Sequence, residues 1–192
     1  GMPFYFKDLR DNTYVIFRAY LDGITENIAP TWTPTTYVGR SEPVYNYEKT
    51  ERDVSFNLKL FAQNNMELDA IYAKLNRLTS MCYPQYLPDS YNEPFWTEDQ
   101  KKTQALIRMK PPMVRLRIGD IYGGGVHGTD SDMMLGHIKS LTYTVPDEAT
   151  WEDALGDRKP KYIIASVQYQ VIHETVPNYL TQFYGKQMQV TD

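Results

Sequence analysis

The order of residues predicts a mainly β chain with one helix, an α+β fold in which an antiparallel barrel or sandwich carries a helix packed on its sheet. Three observations predict it. Residues 52–62 alternate strictly, with Val54, Phe56, Leu58 and Leu60 on one side and Asp53, Ser55, Asn57 and Lys59 on the other, the period of a strand with one buried face. The period then changes once, to helical, over residues 65–80. Turn-forming residues divide the remainder into short apolar runs, giving about seven to nine strands in all.

In chain order, residues 1–13 read as an N-terminal arm, 14–177 as a single β domain and 178–192 as a C-terminal arm. Residues 14–21 alternate Val15, Phe17, Ala19 and Leu21 against Tyr14, Ile16, Arg18 and Tyr20. Apolar side chains on both faces suggest a strand covered on both sides, and Asp22-Gly23 marks a turn. Residues 26–36, with their Asn, Pro and Thr, read as a loop. A strand pair is expected around Tyr37–Arg40 and Val44–Glu48, before the strand 52–62. Asn64 is placed to cap the helix, with Glu67 three residues on in the position of a capping box. Leu68, Ile71, Tyr72, Leu75 and Leu78 then form one stripe, best read as packing against the sheet, and Pro84 lies just past the end.

Residues 84–103 read as a long irregular loop, in which Phe95 and Trp96 are candidate contact residues. Strands are expected at 104–109, 113–119, 134–145 and 161–173. Between them lie a glycine-rich loop at 122–132 and a loop from Pro146 to Pro160 that holds Trp151.

Composition narrows the function. Hydrophobic residues are 42% and charged residues 23% of the chain, ordinary for a soluble globular protein. A net charge of −4 speaks against general nucleic-acid binding, which draws on a basic surface. Sixteen Tyr stand beside seven Phe. Tyr packs a ring while its hydroxyl keeps a polar partner, which suits half-buried strands and interfaces. Cys82 is the single cysteine, so neither an internal disulfide nor a thiolate zinc cluster can form. It ends the helical pattern between Met81 and Tyr83, and reads as a packed thiol rather than a nucleophile. No apolar run approaches the roughly 18 residues of a membrane span, and the first residues lack the basic-then-apolar layout of a signal peptide.

Chemistry-bearing clusters are sparse. His127, Asp130 and Asp132 share the glycine-rich loop and include metal-ligating types, but no helix or strand fixes their spacing. No Gly-Lys-Ser/Thr follows the loop's glycines, so it is no phosphate loop. His173 ends the apolar face of the last strand and reads as structural. Acidic pairs such as Asp130/Asp132 or Glu148/Glu152/Asp153 would suit glycoside hydrolysis, and their loop setting reads as solvated surface. No catalytic, cofactor-binding or metal residue is assigned, and the chain is read as a non-enzyme without cofactors. Two other readings stand beside that one: a carbohydrate- or ligand-binding β-domain using Trp96 or Trp151 for stacking, and a metal-dependent hydrolase using His127, Asp130 and Asp132.

An ordered set of short elements carries a family resemblance. It comprises Tyr37-Val38-Gly39-Arg40-Ser41-Glu42-Pro43-Val44, then Tyr47 and Arg52, the strand Val54–Leu60, Leu75–Leu78 with Tyr83-Pro84-Gln85-Tyr86, Pro112–Asp120, Gly136-His137-Ile138, and Trp151-Glu152 leading to Val171-Ile172-His173-Glu174. Together these resemble the tube-initiator and tube-cap proteins of contractile-tail phage (myophage) baseplates, over roughly residues 14–178. Many initiators carry a long N-terminal region that has no counterpart here. The resemblance implies a structural virion protein of the tail-tube β type, made in the host cytoplasm. It implies a homo-hexameric ring that initiates or extends the inner tail tube, with tube and baseplate hub proteins as partners and DNA only as cargo in the channel. No membrane is involved. Arg40, Glu42, Phe95, Trp96, His127, Asp130 and Trp151 become interface candidates.

Overall fold

The structure, a computed structural model, describes residues 3–85, 109–123, 133–152, 158–181 and 183–185. Seven strands are present among them: β1 (Phe4–Asp8), β2 (Tyr14–Ile16), β3 (Tyr20–Thr35), β4 (Val44–Phe61), β5 (Val114–Ile118), β6 (Met134–Thr144) and β7 (Tyr162–Val171). The helix α1 (Asn65–Ser80) lies between β4 and β5 in sequence. The strands form one antiparallel sheet in the order β2-β1-β5-β6-β7-β4-β3. The α+β class is as expected. Closure into a barrel is not: β2 and β3 are two open edges of one sheet.

Period-two alternation chooses the core. Phe4 and Phe6 of β1, Val54, Phe56, Leu58 and Leu60 of β4, Val114, Leu116 and Ile118 of β5, and Ile163, Ala165, Val167 and Tyr169 of β7 are all buried. They share the core with Val15, Phe17, Leu75, Leu78 and Met81. Four phenylalanines make edge and stacked contacts at its centre, with Phe4 to Phe6 at 5.5 Å and Phe4 to Phe56 at 5.7 Å between ring centroids. The Tyr169 hydroxyl, fully enclosed, shares its one proton between the carbonyls of Val114 at 2.6 Å and Met134 at 2.8 Å, tying β7 to β5 and β6. Gly136 of β6 lies where a Cβ would come within 2.0 Å of the Gln170 carbonyl and 2.8 Å of the Tyr169 ring. Glycine is therefore required at that close approach.

The helix forms as expected. The Asn64 side chain accepts from the Glu67 amide at 2.8 Å, and Glu67 answers by accepting from the Gln63 amide at 2.9 Å, one residue earlier than in a standard capping box. Leu68, Leu75 and Leu78 of the stripe are buried, and Ile71 and Tyr72 pack against the core.

Three strand assignments are corrected. The expected N-terminal arm supplies β1, an interior strand paired on both sides, because Phe4 and Phe6 alternate into the core. The expected strand 14–21 breaks after Ile16. Residues 17–19 carry the chain from β2, one edge of the sheet, to β3, the other. Four residue steps span at most about 14 Å, so the sheet is rolled until its two edges nearly meet. Lastly, residues 26–36 are not a loop. Through Thr35 they belong to β3, and β4 runs unbroken from Val44, so that only residues 36–43 turn and the strand expected at Tyr37–Arg40 is part of that turn. Pro30 and Pro34 stand opposite Thr50 and Tyr45. Proline lacks the amide that an interior strand must donate, and an edge strand tolerates it.

Candidate functional site

The hairpin of β3 and β4 outruns the sheet. β7 pairs with β4 only from Asp53 to Phe61. From Ile28↔Arg52 to Thr35↔Val44 the two strands pair, among the described residues, only with each other. Seven residue steps along β3 at the antiparallel rise make this ribbon about 24 Å long. Both of its faces are largely exposed, yet it carries Ile28, Trp32, Tyr45 and Tyr47, each more than half exposed. Trp32 and Tyr47 stand opposite one another with ring centroids 5.3 Å apart. Thr33 and Glu48, and Asn46 and Thr35, bond across the strands. At the tip, Gly39 takes a φ of +83° and the Arg40 amide donates to the Tyr37 carbonyl at 3.2 Å. Val38 there is fully exposed.

The root of the ribbon is anchored by charge. Arg52, buried, pairs through Nε with Glu26 on the facing strand. The guanidinium lies 5.8, 5.5 and 5.4 Å from the ring centres of Tyr122, Phe183 and Tyr184. These are cation–π distances, and they place the cation among three aromatic rings. Tyr122 donates to the other Glu26 oxygen at 2.9 Å. Its position comes from the turn after β5, where Ile118 and Tyr122 exchange backbone bonds of 3.0 and 3.2 Å. The described part of the C-terminal arm closes over this point, held by a bond from the Gly185 amide to the Ile121 carbonyl at 3.2 Å. The network thus joins β3, β4, the β5 turn and the C-terminal segment.

Its protonation follows from its burial. Desolvation alone would raise the Glu26 carboxyl, but hydrogen bonds from Arg52, Tyr184 and Tyr122 and the charge of Arg52 outweigh it, and the group is held below its ordinary range. Burial and the bond to Glu26 push the Tyr122 hydroxyl up to about 12. His173, just beyond β7, is held below the ordinary imidazole value by partial burial of its ring and by the Arg52 charge. Beside these groups is a cavity of about 500 Å³ lined by Ile28, Tyr47, Val176 and Phe183 as well as Arg52 and His173. Among the described residues, one guanidinium nitrogen of Arg52, Nη2, is buried with no hydrogen-bond partner.

Of the interface candidates, Arg40 and Glu42 fall on the exposed ribbon tip, where neither forms an ion pair among the described residues. Trp151, 59% exposed, sits at an isolated bridge to Pro160, outside the seven strands. Phe95, Trp96, His127 and Asp130, together with Asp132 of the suggested metal triad, lie outside the described residues. Among the described residues no three His, Cys, Asp or Glu side chains gather as a metal site. No helix among them is long and apolar enough to cross a membrane. Burial holds the Cys82 thiol above its ordinary value, the opposite of what activates a nucleophile. Sequence reasoning missed Glu26 and Tyr122. The opposite charges of Glu26 and Arg52 were visible, but reading 26–36 as a loop removed the register that pairs them.

No family model matches this chain, and no curated protein matches it.

Proposed function

We propose that this chain is a structural subunit of a contractile phage tail, a ring-forming protein of the baseplate or tube that initiates or extends the inner tail tube. The observation that carries the reading is the β3–β4 ribbon. A two-stranded ribbon is marginal in water on its own, and this one exposes aromatic and branched residues on a long open edge. Such an edge is a template for strand pairing. Covering it with a neighbouring copy buries those rings, and a head-to-tail contact whose rotation closes makes a ring. The resemblance of the ordered elements to tube-initiator proteins supplies the phage setting and the six-fold expectation. The face of β4 opposite the core carries Asp53, Asn57 and Lys59, half-buried and polar, which suits a water-filled channel. The proposed work is templating, with no reaction.

Light-scattering mass and negative-stain imaging across a concentration series test the proposal. Rings or short stacked tubes are expected from the native chain. A variant with Trp32, Tyr45 and Tyr47 changed to Ser is expected to keep its melting temperature and to lose assembly. A variant that assembles as well as the native chain would overturn the role given to the ribbon.

The cavity at the ribbon root favours a second reading, a ligand-binding β-domain. Its volume of about 500 Å³ is within the range of small-molecule sites. Saturable binding of a small ligand or glycan that is lost on changing Tyr47 or Phe183, in a chain that stays monomeric, would favour it.

A further inference from the structure

The opposite edge of the sheet carries a second surface. The Asp8 amide donates to the Thr13 carbonyl at 2.9 Å and the Phe17 amide to the Phe4 carbonyl at 3.4 Å. In an antiparallel pair the bonded residues alternate. Val15, opposite Phe6, therefore shares the orientation of Thr13 and Phe17, and the amide and carbonyl of Ile16 turn away from β1 toward the open edge. The Ile16 side chain is 58% exposed.

Helix α1 runs beside this edge, and two hollows of about 370 and 360 Å³ lie along it. Tyr14, Val15 and Ile16 line the first, across from Ala70, Ala73, Lys74 and Arg77. The second is lined by Phe17, Arg18 and Phe61 and again by Ala70 and Lys74. Sharing those two residues, the hollows adjoin and together form a groove along the helix. Ala70 and Ala73, small side chains at exposed helix positions, form its helical side.

The charge on its rim is uneven. Arg77 is committed to Asp8 at 2.8 Å and to Asp11 at 2.5 Å. Glu67 is turned back to the Gln63 amide at the far end. Arg18 and Lys74 form no ion pair among the described residues. Two cations thus flank an apolar floor and an open backbone edge, on a chain whose net charge is −4.

We propose that this groove binds an extended, acidic segment of a partner protein. The segment pairs its backbone with the β2 edge at Ile16, as in strand addition. It sets alternate apolar side chains over Ala70 and Ala73 and turns carboxylates toward Arg18 and Lys74. The site uses the β2 edge, not the ribbon, and so stands apart from the ring contact proposed above.

The test is fluorescence anisotropy of labelled synthetic peptides that alternate valine with glutamate, or valine with lysine, read against the whole chain. Saturable binding of the glutamate peptide is expected, with the lysine peptide at least about tenfold weaker, the sum of two screened charge contacts. Ala73→Trp fills the groove from an exposed helix position and is expected to abolish binding. The double variant Arg18→Glu/Lys74→Glu is expected to reverse the peptide preference. Circular dichroism melting confirms that each variant is folded. The ribbon variant lacking Trp32, Tyr45 and Tyr47 is expected to bind the glutamate peptide as the native chain does, so failure of the ring reading leaves this one intact. Absence of saturable binding, equal binding of both peptides, or binding unchanged by Ala73→Trp would overturn the proposal. Self-association that Ala73→Trp abolishes, without peptide binding, would also overturn it by assigning the groove to a second copy.

Discussion

Arg52→Met isolates the anchor at the ribbon root. The side chains of Arg52 and Glu26 are only 7% and 11% exposed, so removing the cation strands a carboxylate away from water. Breaking one partner of a buried pair typically costs about 3–5 kcal/mol. Two features place this site at the low end. The Tyr122 hydroxyl still serves Glu26, and the substitution also removes Nη2, which is buried with no hydrogen-bond partner among the described residues. A loss of about 3 kcal/mol then lowers the melting temperature by about 6–12 °C for a chain of this size. In the double variant Glu26→Gln/Arg52→Met no charge is left to strand, and the expected loss is about 1 kcal/mol. The cycle should therefore show a coupling of about 2 kcal/mol or more. Urea unfolding at neutral pH, followed by circular dichroism, measures all four corners. Arg52→Met within about 1 kcal/mol of the native chain, or a double variant as unstable as the sum of the singles, would refute the anchoring role.

Three further outcomes are expected. Glu26 is depressed in the folded state, so its contribution is present above the ordinary value of 4.5 and is lost as pH falls through the lower folded value. Tyr122 is raised from 10.0 to about 12, so its contribution is present below 10 and is lost as pH rises toward 12. Melting curves across pH should show Glu26→Gln flattening the acid limb and Tyr122→Phe the alkaline limb. Gly136→Ala should cost at least about 2 kcal/mol by overpacking, because its Cβ meets backbone and a buried ring that cannot swing aside; urea unfolding with an unchanged midpoint would contradict the close approach. Asn64→Ala should cost about 1 kcal/mol through the lost cap, read as a small shift of the same midpoint.

The sequence by itself determined the elements whose faces differ. Val54 to Leu60 alternate because one side of β4 meets the core and the other does not, and that difference is written in residue type. Helix α1 was legible for the same reason, with its cap spelled out by Asn64 and Glu67. The ribbon was not. From Ile28 to Thr35 and from Val44 to Glu51 neither face is buried, so no period marks the strands, and Pro30 and Pro34 imitate a loop. Its extent is decided by pairing with a neighbour in space, which local sequence does not record. The same holds for Phe4–Asp8, too short to announce itself and fixed as an interior strand only by β2 and β5 on its two sides. Tertiary structure alone brought Glu26, Arg52, Tyr122 and Tyr184 together from four separate segments, since burial of a charge is stable only where partners from elsewhere in the chain surround it. It also decided that the sheet stays open. The three residues between β2 and β3 bring the two edges close without pairing them, and that leaves one edge beside α1 and the other carried outward on the ribbon.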